Sequence, residues 1–588
     1  MYVPPGPPPA STPAPPRGAE WAAPARVLAL LTLFVFVSVS VRWTSEVALP
    51  GWLHAVGGAF VLGGTLLAAR RDGVARRVVE RLASASVWNA WWLPYPVGGA
   101  AFLLAAGVAH VVLESMPHVP DEFAYLFQAR LFADGHLYAP VPPLPEHFPG
   151  PWVLAHEGRL FAVFPPGWSA VLAVGALLGV PQLVNPLLAA GCVVATYFVA
   201  LELFDRRTAA LSALLLVASP FFVVLGASLM SHMAVVLSVT TAVWCLVRAT
   251  VRPPSASSLG LTLLASGLAV LVRPVDGAAV VGTVAALIWL RPTPGSRRPP
   301  MAVAAAAAGV GAGALLLAAY FRVLTGVWFV APMTILSPAN RMGFGADVGL
   351  MWDTFATPGH TPWRALLNLN FNMVVLSQDL FGWPLSGLLP ILVLLLCGRL
   401  RWGHVLCAVP CLSLVVAYAF YWYHGVAYGA RFYSAALPFL VVLTAEGLRQ
   451  LPGLFAGHAP RLRAAVYAAV VAATAFGWFV YVPRVTLIEP YPDYRGIHSG
   501  LQRFVEQHHV RRGVVFVRAR REFHYGPGFL ANRVPIRSGH VIYALDLGPA
   551  ANARLLAFFP DRQVYYYEHG SRPTRFERLR AHLADRWR

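Results

Sequence analysis

The stretch His118-Val119-Pro120-Asp121-Glu122-Phe123-Ala124-Tyr125 places two neighbouring carboxylates just after an apolar span. Carboxylates are costly to desolvate where a span leaves the lipid, so their presence there calls for a functional explanation. Proline suits the first position of a helix, and acids in the first turn are stabilised by the helix dipole. The stretch therefore predicts a helix from Pro120, with Asp121, Tyr125 and Gln128 on one face. The competing interpretation is that Asp121 and Glu122 only cap this helix.

The composition around this stretch is that of a polytopic membrane protein. Of the 588 residues, 57% are hydrophobic and 12% are charged, and the mean hydropathy is +0.60. Repeated apolar runs long enough to cross a bilayer exclude an ordinary soluble protein. The formal net charge is +19, and the basic residues are all arginine. Many of these arginines cluster between apolar runs, which favours membrane topology and lipid phosphates over nucleic-acid binding.

About thirteen transmembrane spans are predicted from the lengths of the apolar runs. The predicted spans are 26–41, 51–69, 95–113, 182–203, 208–226, 232–251, 258–272, 277–291, 301–322, 375–397, 403–421, 430–450 and 463–483. With a cytoplasmic N-terminus, this count puts the arginine clusters between spans inside, as the positive-inside rule requires. The apolar stretch 161–180 is then predicted not to cross, because a crossing would move the later clusters outside. Asp121 and Glu122 thus fall in a large outer loop, 114–181, with juxtamembrane helices, and a second outer loop covers 325–375.

Four regions are predicted along the chain. Residues 1–25 form a disordered, proline-rich cytoplasmic tail, and 26–94 hold two additional transmembrane helices and a cytoplasmic loop. Residues 95–483 form the main transmembrane region, which contains both large outer loops. Residues 484–588 alternate helix-like and strand-like runs, which predicts a small extracytoplasmic α/β domain of about a hundred residues. The strand-like runs lie at 514–517, 541–545 and 564–567.

The run from Asp121 to Arg130, followed by Gly135, resembles the first outer loop of membrane glycosyltransferases of the GT-C superfamily. The resemblance is to the glycosyltransferase family 39-like group, that of protein mannosyltransferases and aminoarabinose transferases. Other landmarks resemble family positions in the same order: Phe164-Pro165-Pro166-Gly167-Trp168, Leu203-Phe204-Asp205-Arg206-Arg207, Ala218-Ser219-Pro220, Ser231-His232, Leu271-Val272-Arg273-Pro274 and Gly429-Ala430-Arg431-Phe432. Together they cover about residues 95–450. Many relatives carry a charged residue before the Pro-Pro element, where this chain has Phe164.

This resemblance implies a GT-C-like helical fold and a polyprenyl-phosphate-linked donor sugar, transferred with inversion on the extracytoplasmic face. It also implies that Asp121 is the catalytic base and that Glu122 supports or orients it. A hydroxyl that attacks the anomeric carbon must lose its proton, which requires a carboxylate within hydrogen-bond reach. The phosphate leaving group requires electrostatic stabilisation, for which the planar fork of arginine is suited. Arg431 is the first candidate for this role and Arg273 the second.

Both arginines have structural alternatives, because Arg431 could snorkel to lipid headgroups and Arg273 could pair with nearby Asp276. Further candidates for substrate contact are Tyr125, Arg130, Tyr428, His424 and His232. No pair of the outer histidines has a recognised metal-ligand spacing, and the branch that the chain resembles generally uses no metal. No cofactor is therefore expected to be required, and a divalent cation stays an alternative.

The expected function is that of an integral-membrane glycosyltransferase of the inner or plasma membrane. Its partners would be a polyprenyl-phosphate-linked sugar, the lipid bilayer and a glycan, lipid or protein acceptor. A flippase or transporter of lipid-linked sugars is the alternative from another class, because buried acids and arginines also mark transport paths. Transporters often show two related halves, and no convincing internal repeat is seen. A non-catalytic GT-C-like scaffold is the third alternative, against which the intact Asp121-Glu122 pair argues.

Overall fold

The structure, a computed structural model, describes residues 86–290, 299–350, 359–454, 459–487 and 496–570, with Gly58, Ala59, Val61 and Arg81 besides. The predicted tail over 1–25 and the first predicted span lie outside these residues, as does nearly all of the second span. Within the described ranges the chain is mostly helical, and most of its helices share one large apolar core.

The helices up to residue 476 follow the apolar runs closely. In chain order the described ones are α1 (Pro94–Val111), α2 (Pro120–Ala133), α3 (Pro166–Leu177), α4 (Val184–Leu203), α5 (Arg206–Ala218), α6 (Pro220–Ala227), α7 (His232–Val251), α8 (Ala256–Val272), α9 (Pro274–Leu290), α10 (Pro300–Thr325), α11 (Pro332–Leu336), α12 (Pro362–Asp379), α13 (Leu389–Cys397), α14 (Trp402–Ala419), α15 (Leu437–Gln450) and α16 (Ala459–Phe476). A π-helical segment, Gly477–Leu487, continues α16.

Seven helices in the described part of the chain are long and apolar enough to cross a membrane, and the bent pair α5–α6 makes an eighth if it is one span. The seven are α1, Pro181–Leu203, α7, α10, α14, Arg431–Leu454 and Ala465–Pro483. The predicted spans at 258–272 and 277–291 are the helices α8 and α9, each 17 residues long. A multi-pass membrane protein is thus supported, whereas the total of thirteen spans stays a prediction.

The predicted span at 375–397 is wrong as one continuous helix. The chain leaves α12 after Asp379 and re-enters a helix only at Leu389. Gly382 lies between them with a φ of +63°, a conformation that favours glycine, and Pro384 follows without an N–H to donate. Averaging hydropathy over 375–397 concealed this break, although the polar residues Gln378 and Asp379 directly precede it.

A second break divides the predicted span 208–226 into α5 and α6, which meet at an angle of 62°. Pro220 occupies the first turn of α6, where it cannot continue the hydrogen-bond ladder of α5. Ser219 caps the new helix, since its Oγ accepts a hydrogen bond from the N–H of Phe222 at 3.3 Å. This break sends α6 toward the loop that precedes α7, and that loop forms one wall of the site described below.

Small residues let the backbones of α8 and α10 approach each other closely. A Cβ atom at Gly309 would lie 2.3 Å from the carbonyl oxygen of Leu263, and one at Gly313 would lie 2.6 Å from that of Gly267. Such contacts are typical of membrane helices, where close van der Waals packing replaces the hydrophobic driving force. The pair forms part of the frame that holds the helices around Arg273.

The predicted outer loop 114–181 contains two helices and a small sheet. Helix α2 begins at Pro120, as the proline and the two acids predict. Strands β1 (Ala139–Pro140), β2 (Val153–His156) and β3 (Arg159–Ala162) pair antiparallel in the order β1-β3-β2. The stretch predicted not to cross holds α3, whose 12 residues span about 18 Å, too little for a hydrocarbon core of about 30 Å.

Residues 496–570, here called the C-terminal unit, form a separate parallel sheet. Its elements are α17 (Gly500–Gln507), β4 (Gly513–Arg518), α18 (Gly526–Ala531), β5 (Val541–Leu545), α19 (Pro549–Leu556) and β6 (Gln563–Glu568). The strand order is β5-β4-β6, and Gly513 lies in register with both Val541 and Gln563. The three strands coincide with the three runs identified in the sequence. The central strand is the most buried, as a parallel sheet requires.

Candidate active site

The candidate site is built at the N-terminus of α2. Val119 precedes the helix in an extended conformation, and Pro120 takes a first-turn position, where its missing N–H is not needed. Asp121 and Glu122 therefore fall in the first turn, near the positive end of the helix dipole. Consecutive helical residues point in different directions, so the two carboxylates meet different parts of the protein.

Glu122 is 1% exposed and has both of its carboxylate oxygens engaged. Oε2 accepts hydrogen bonds from the backbone N–H groups of His118 at 2.7 Å and Val119 at 3.0 Å. Oε1 accepts one from the N–H of Leu229 at 2.8 Å, and the Tyr428 hydroxyl donates to Oε2 at 3.3 Å. Burial raises the pKa of Glu122 to about 7, although the three backbone donors act in the opposite direction. Glu122 thus caps α2 and ties it to two distant segments.

Asp121 forms an ion pair with Arg431, a residue 310 positions later in the chain. Oδ2 of Asp121 accepts a hydrogen bond from Nη1 of Arg431 at 2.7 Å. The Asp121 side chain is 16% exposed and that of Arg431 is 8% exposed, so the pair is largely shielded from water. In the described part of the chain, Oδ1 of Asp121 has no hydrogen-bond partner. Asp121 is therefore the carboxylate that retains a free oxygen.

A tightly turned loop brings Arg431 to this position. Nε of Arg431 donates to the carbonyl oxygen of Gly425 at 2.9 Å, which fixes the plane of the guanidinium. Gly429 has a φ of +98°, and a Cβ atom there would lie 2.5 Å from Cδ2 of Phe221. The loop therefore needs glycine both for its conformation and for its contact with α6. Arg431 itself begins a 3-10 helix, Arg431–Ala436.

Arg273 lies nearby but is held by other partners. Its Nε donates to Oδ2 of Asp276 at 3.0 Å, and its Nη2 donates to the Tyr418 hydroxyl at 2.7 Å. The structural alternative for Arg273, pairing with Asp276, is thus present in the structure. The guanidiniums of Arg273 and Arg431 each lie 5.6 Å from the centroid of the Phe432 ring. Two cations therefore flank one aromatic ring, which places Arg273 beside the Asp121–Arg431 pair.

Tyr125 follows Asp121 by one helical turn and faces the same region. Its hydroxyl lies 3.4 Å from Oγ of Ser231, and its ring packs against Phe164 with 4.7 Å between centroids. Burial raises the pKa of Tyr125 to about 12, so the hydroxyl keeps its proton and can donate a hydrogen bond. Phe164, the departure from the family pattern, is therefore a packing partner of a candidate residue.

The two candidate histidines differ in their surroundings. His232 is fully buried at the start of α7, and neither of its ring nitrogens has a hydrogen-bond partner among the described residues. His424 uses Nδ1 to accept a hydrogen bond from the N–H of Val426 at 3.0 Å, and its ring contacts that of Phe371. His424 thus supports its own turn, whereas the ring of His232 is left with two unused polar atoms.

The last two candidates lie on opposite sides of the site. Tyr428 contacts Glu122, which places it next to the acid pair. Arg130, at the far end of α2, donates from Nη1 to the carbonyl oxygen of Leu530 in the C-terminal unit. The structure therefore gathers most of the candidates around Asp121 and turns Arg130 away from them.

Sequence reasoning missed three participants in this site. Tyr418 bonds to both Arg273 and Asp276, Ser231 meets Tyr125, and the N–H of Leu229 holds Glu122. Tyr418 lies in an apolar span, and a polar group there is a signal that could have been used. A backbone N–H leaves no such signal, since its position depends only on the fold.

Within the ranges that the structure covers, no group of three or more His, Cys, Asp or Glu side chains is placed to hold a metal ion. The expectation of a reaction without a required metal stays a prediction. The chemistry that the site offers is that of a partly exposed carboxylate, two guanidiniums and protonated tyrosines.

Residues 165–320 match the model of a protein family described as dolichyl-phosphate-mannose-protein mannosyltransferase. The matched segment begins at the Pro-Pro element and contains the landmarks from Leu203 to Pro274. No curated protein sequence matches the chain.

Two solved structures align with most of the chain at low identity. ArnT from Cupriavidus metallidurans bound to undecaprenyl phosphate is 15% identical with a TM-score of 0.47, and the alignment covers 81% of this chain and 89% of that one. The Archaeoglobus fulgidus oligosaccharyltransferase in its apo form is 13% identical with a TM-score of 0.37, over 75% of this chain and 63% of that one. At this distance neither likeness carries an argument about the site.

Proposed function

We propose that the chain is a GT-C superfamily glycosyltransferase, which the family match over residues 165–320 supports, and that it moves a sugar from a polyprenyl-phosphate donor to an acceptor hydroxyl, with inversion. The observation that carries this proposal is the Asp121–Arg431 ion pair, in which Nη1 and Oδ2 lie 2.7 Å apart. The reaction needs a base for the acceptor and a cation for the departing phosphate, and here the two adjoin. Asp121 is the proposed base, and Arg431, with Arg273 beside it, the proposed phosphate ligand.

The proposed step is a single displacement. The acceptor hydroxyl passes its proton to Asp121, and its oxygen forms a bond to the anomeric carbon on the face opposite the phosphate. The bond between that carbon and the phosphate oxygen breaks, and its electron pair leaves with the polyprenyl phosphate. A retaining route would need a second carboxylate as nucleophile. Glu122 is poorly suited to that role, because three backbone N–H groups and a hydroxyl already occupy its oxygens.

Donor binding would also change the partner of Asp121. A phosphate bound at Arg431 would compete with Oδ2 of Asp121 for the same guanidinium. Phosphate and carboxylate oxygens are both charged acceptors, so both would accept hydrogen bonds from Nη1. Arg431 keeps its orientation meanwhile through Nε and the Gly425 carbonyl. The carboxylate would then be less engaged when the acceptor hydroxyl arrives. Tyr125, Tyr428 and His232 are proposed to contact the sugar or the phosphate.

The site would lie at the extracytoplasmic face of the inner or plasma membrane, in a chain of thirteen spans with a cytoplasmic N-terminus and an extracytoplasmic domain over 484–588. A glycan, lipid or protein hydroxyl would be the acceptor, and no metal would be required.

The test is the Asp121→Asn variant in membranes supplied with labelled undecaprenyl-phosphate sugars. Asparagine keeps the shape of the side chain but cannot take up the acceptor proton, so transfer should fall by roughly 100-fold or more while donor binding persists. Asp134→Asn, an acid at the end of the same helix, is the matched control and should transfer normally. Normal transfer by Asp121→Asn would reject Asp121 as the base. Passage of labelled lipid across the bilayer without product would instead favour a flippase.

A further inference from the structure

The loop predicted to be the first outer loop, 114–181, contributes side chains to the core of the C-terminal unit. Phe148, 3% exposed, belongs to the same buried cluster as Val514, Phe516 and Ile542 of the parallel sheet. The neighbouring His147 is fully buried, and its ring nitrogens lie within hydrogen-bond distance of the carbonyl oxygens of two C-terminal residues. These are Leu545 at 2.9 Å and Ala551 at 3.3 Å. The sheet therefore completes its core with residues that lie some 400 positions earlier in the chain.

Helix α18 of the C-terminal unit packs directly against α2. The rings of Phe127 and Phe529 lie 5.0 Å apart between centroids. The ring of Phe123 covers Gly526 so closely that a Cβ atom there would lie 2.8 Å from Cζ. Arg130, one turn further along α2, donates from Nη1 to the carbonyl oxygen of Leu530. Aromatic packing and a charged hydrogen bond thus join the two helices along their length.

The residues of α2 divide between two neighbours. Phe123, Phe127 and Arg130 are spaced by four and three positions, so they share the face that meets α18. Asp121 and Tyr125 lie on the other side, where they reach Arg431 and Ser231 of the membrane part. Helix α2 is therefore clamped between the membrane helices and the C-terminal unit.

From this arrangement we infer that the C-terminal unit positions α2, and through it Asp121, against Arg431. Arg130 and Phe529 are the positioning residues, since each joins α18 to α2 and neither contacts the Asp121–Arg431 pair. The inference rests on the proposed function only for the role of Asp121 as base. A displacement of about 1 Å at a reacting group can lower a rate by roughly 100-fold, so such a clamp has a large effect on transfer.

The experiment compares the double variant Arg130→Ala/Phe529→Leu in the full chain with the wild type. At saturating labelled undecaprenyl-phosphate sugar, kcat should fall by roughly 10- to 100-fold, whereas binding of undecaprenyl phosphate should change less than about twofold. The variant Arg130→Lys/Phe529→Leu should recover part of kcat, because lysine can also donate a hydrogen bond to the Leu530 carbonyl oxygen. Phe558→Leu, an exposed phenylalanine of the same unit, is the matched control and should behave as the wild type.

Hydrogen exchange gives a readout that does not depend on transfer. The amides of α2 should exchange at least roughly tenfold faster in the double variant, while those of α7 keep their wild-type rates. Unchanged exchange in α2, or a fall in undecaprenyl phosphate binding that matches the fall in kcat, would overturn the inference. If Asp121→Asn transfers normally, the proposed function fails, and faster exchange of α2 still supports the clamp.

Discussion

At the scale of single residues, Asp121 and Glu122 show how adjacent carboxylates acquire different roles. Glu122 faces the interior and accepts hydrogen bonds from three backbone N–H groups through its two carboxyl oxygens. Asp121 points the other way and meets one guanidinium, with one oxygen left over. The same first turn of α2 thus supplies an anchor and a candidate base.

The raised pKa of Glu122 predicts a pH dependence of stability. Burial raises this pKa from 4.5 in the unfolded chain to about 7 in the folded protein. Between these two pH values the folded state binds a proton that the unfolded chain has released. The contribution of Glu122 to the free energy of unfolding is therefore fully present below about pH 4.5 and is lost as pH rises through about 7. The loss is on the order of 3 kcal/mol, since a tenfold change in a proton-binding constant corresponds to ~1.4 kcal/mol. Thermal unfolding in detergent between about pH 5 and pH 8 measures it.

Glu122→Gln is the control for this dependence. Glutamine does not titrate, so the thermal unfolding midpoint should change less between about pH 5 and pH 8 in this variant than in the wild type. If the unfolding midpoint changed equally with pH in both proteins, another titrating group would cause the dependence.

Arg431 predicts a graded loss of donor affinity. Arg431→Ala removes both the positive charge and the N–H donors of the guanidinium. Binding of undecaprenyl phosphate should therefore weaken by roughly 10- to 100-fold, as expected for the loss of a charged hydrogen bond. Arg431→Lys keeps the charge but cannot bond Gly425 and a phosphate in the same geometry, and an intermediate loss is expected. Equilibrium binding in nanodiscs measures both. An affinity unchanged by the alanine variant would remove Arg431 from the phosphate site.

At the scale of elements, the loop from Gly425 to Arg431 determines where the guanidinium lies. It lies between α14, which ends at Ala419, and the 3-10 helix that begins at Arg431, and Gly429 packs against α6. The break between α5 and α6 at Pro220 is what brings Phe221 to that contact. Two irregular backbone segments therefore act together to place one charged group.

Gly429→Ala tests this loop. The added methyl group meets Phe221 at 2.5 Å and occupies a φ of +98°, so the loop must shift and carry Arg431 with it. Transfer should fall roughly 10-fold or more, because Arg431 would no longer lie in hydrogen-bond reach of its partners. Gly107→Ala, in α1 with open space around it, is the control and should keep its activity. Normal kinetics in Gly429→Ala would show that the loop tolerates other conformations.

At the scale of the whole molecule, the membrane helices and the C-terminal unit meet at α2. The membrane helices supply Arg431 and Ser231 to one side of it, and the C-terminal unit supplies Phe529 and Leu530 to the other. If α2 lies outside the membrane, the C-terminal unit must lie on the same side, because they are in direct contact. A measurement of the side on which α2 lies therefore also gives the side of the C-terminal unit.

Substituted cysteines test that topology. His136→Cys, exposed just after α2, should react with a membrane-impermeant maleimide added from outside, since the loop is predicted to be extracytoplasmic. Ser257→Cys, exposed near the start of α8, should react only after the membrane is permeabilised. The native cysteines are buried or half-buried, so their own reaction with the maleimide should be weak. The opposite pattern would reverse the predicted orientation and place Asp121 in the cytoplasm.

The class of molecule and the start of α2 could be predicted from the amino-acid sequence alone. Apolar run length is a local property, and so is the preference of proline and acids for a first turn, which is why most helices and the start at Pro120 could be predicted from it. The break between α12 and α13 was missed, because it depends on backbone conformation at Gly382 within an apolar run. The three strands of the C-terminal unit were recognisable as β-branched and aromatic runs.

The contacts of each site residue, in contrast, depend on how the helices pack. Asp121 and Arg431 are 310 positions apart, and no spacing rule relates residues across so many helices. The pairing of Arg273 with Asp276 could be foreseen because the two are three positions apart, whereas the contact of Arg130 with Leu530 could not. Short-range preferences act through the local backbone, while these long-range contacts arise when helices pack and bring distant charges into one low-dielectric region.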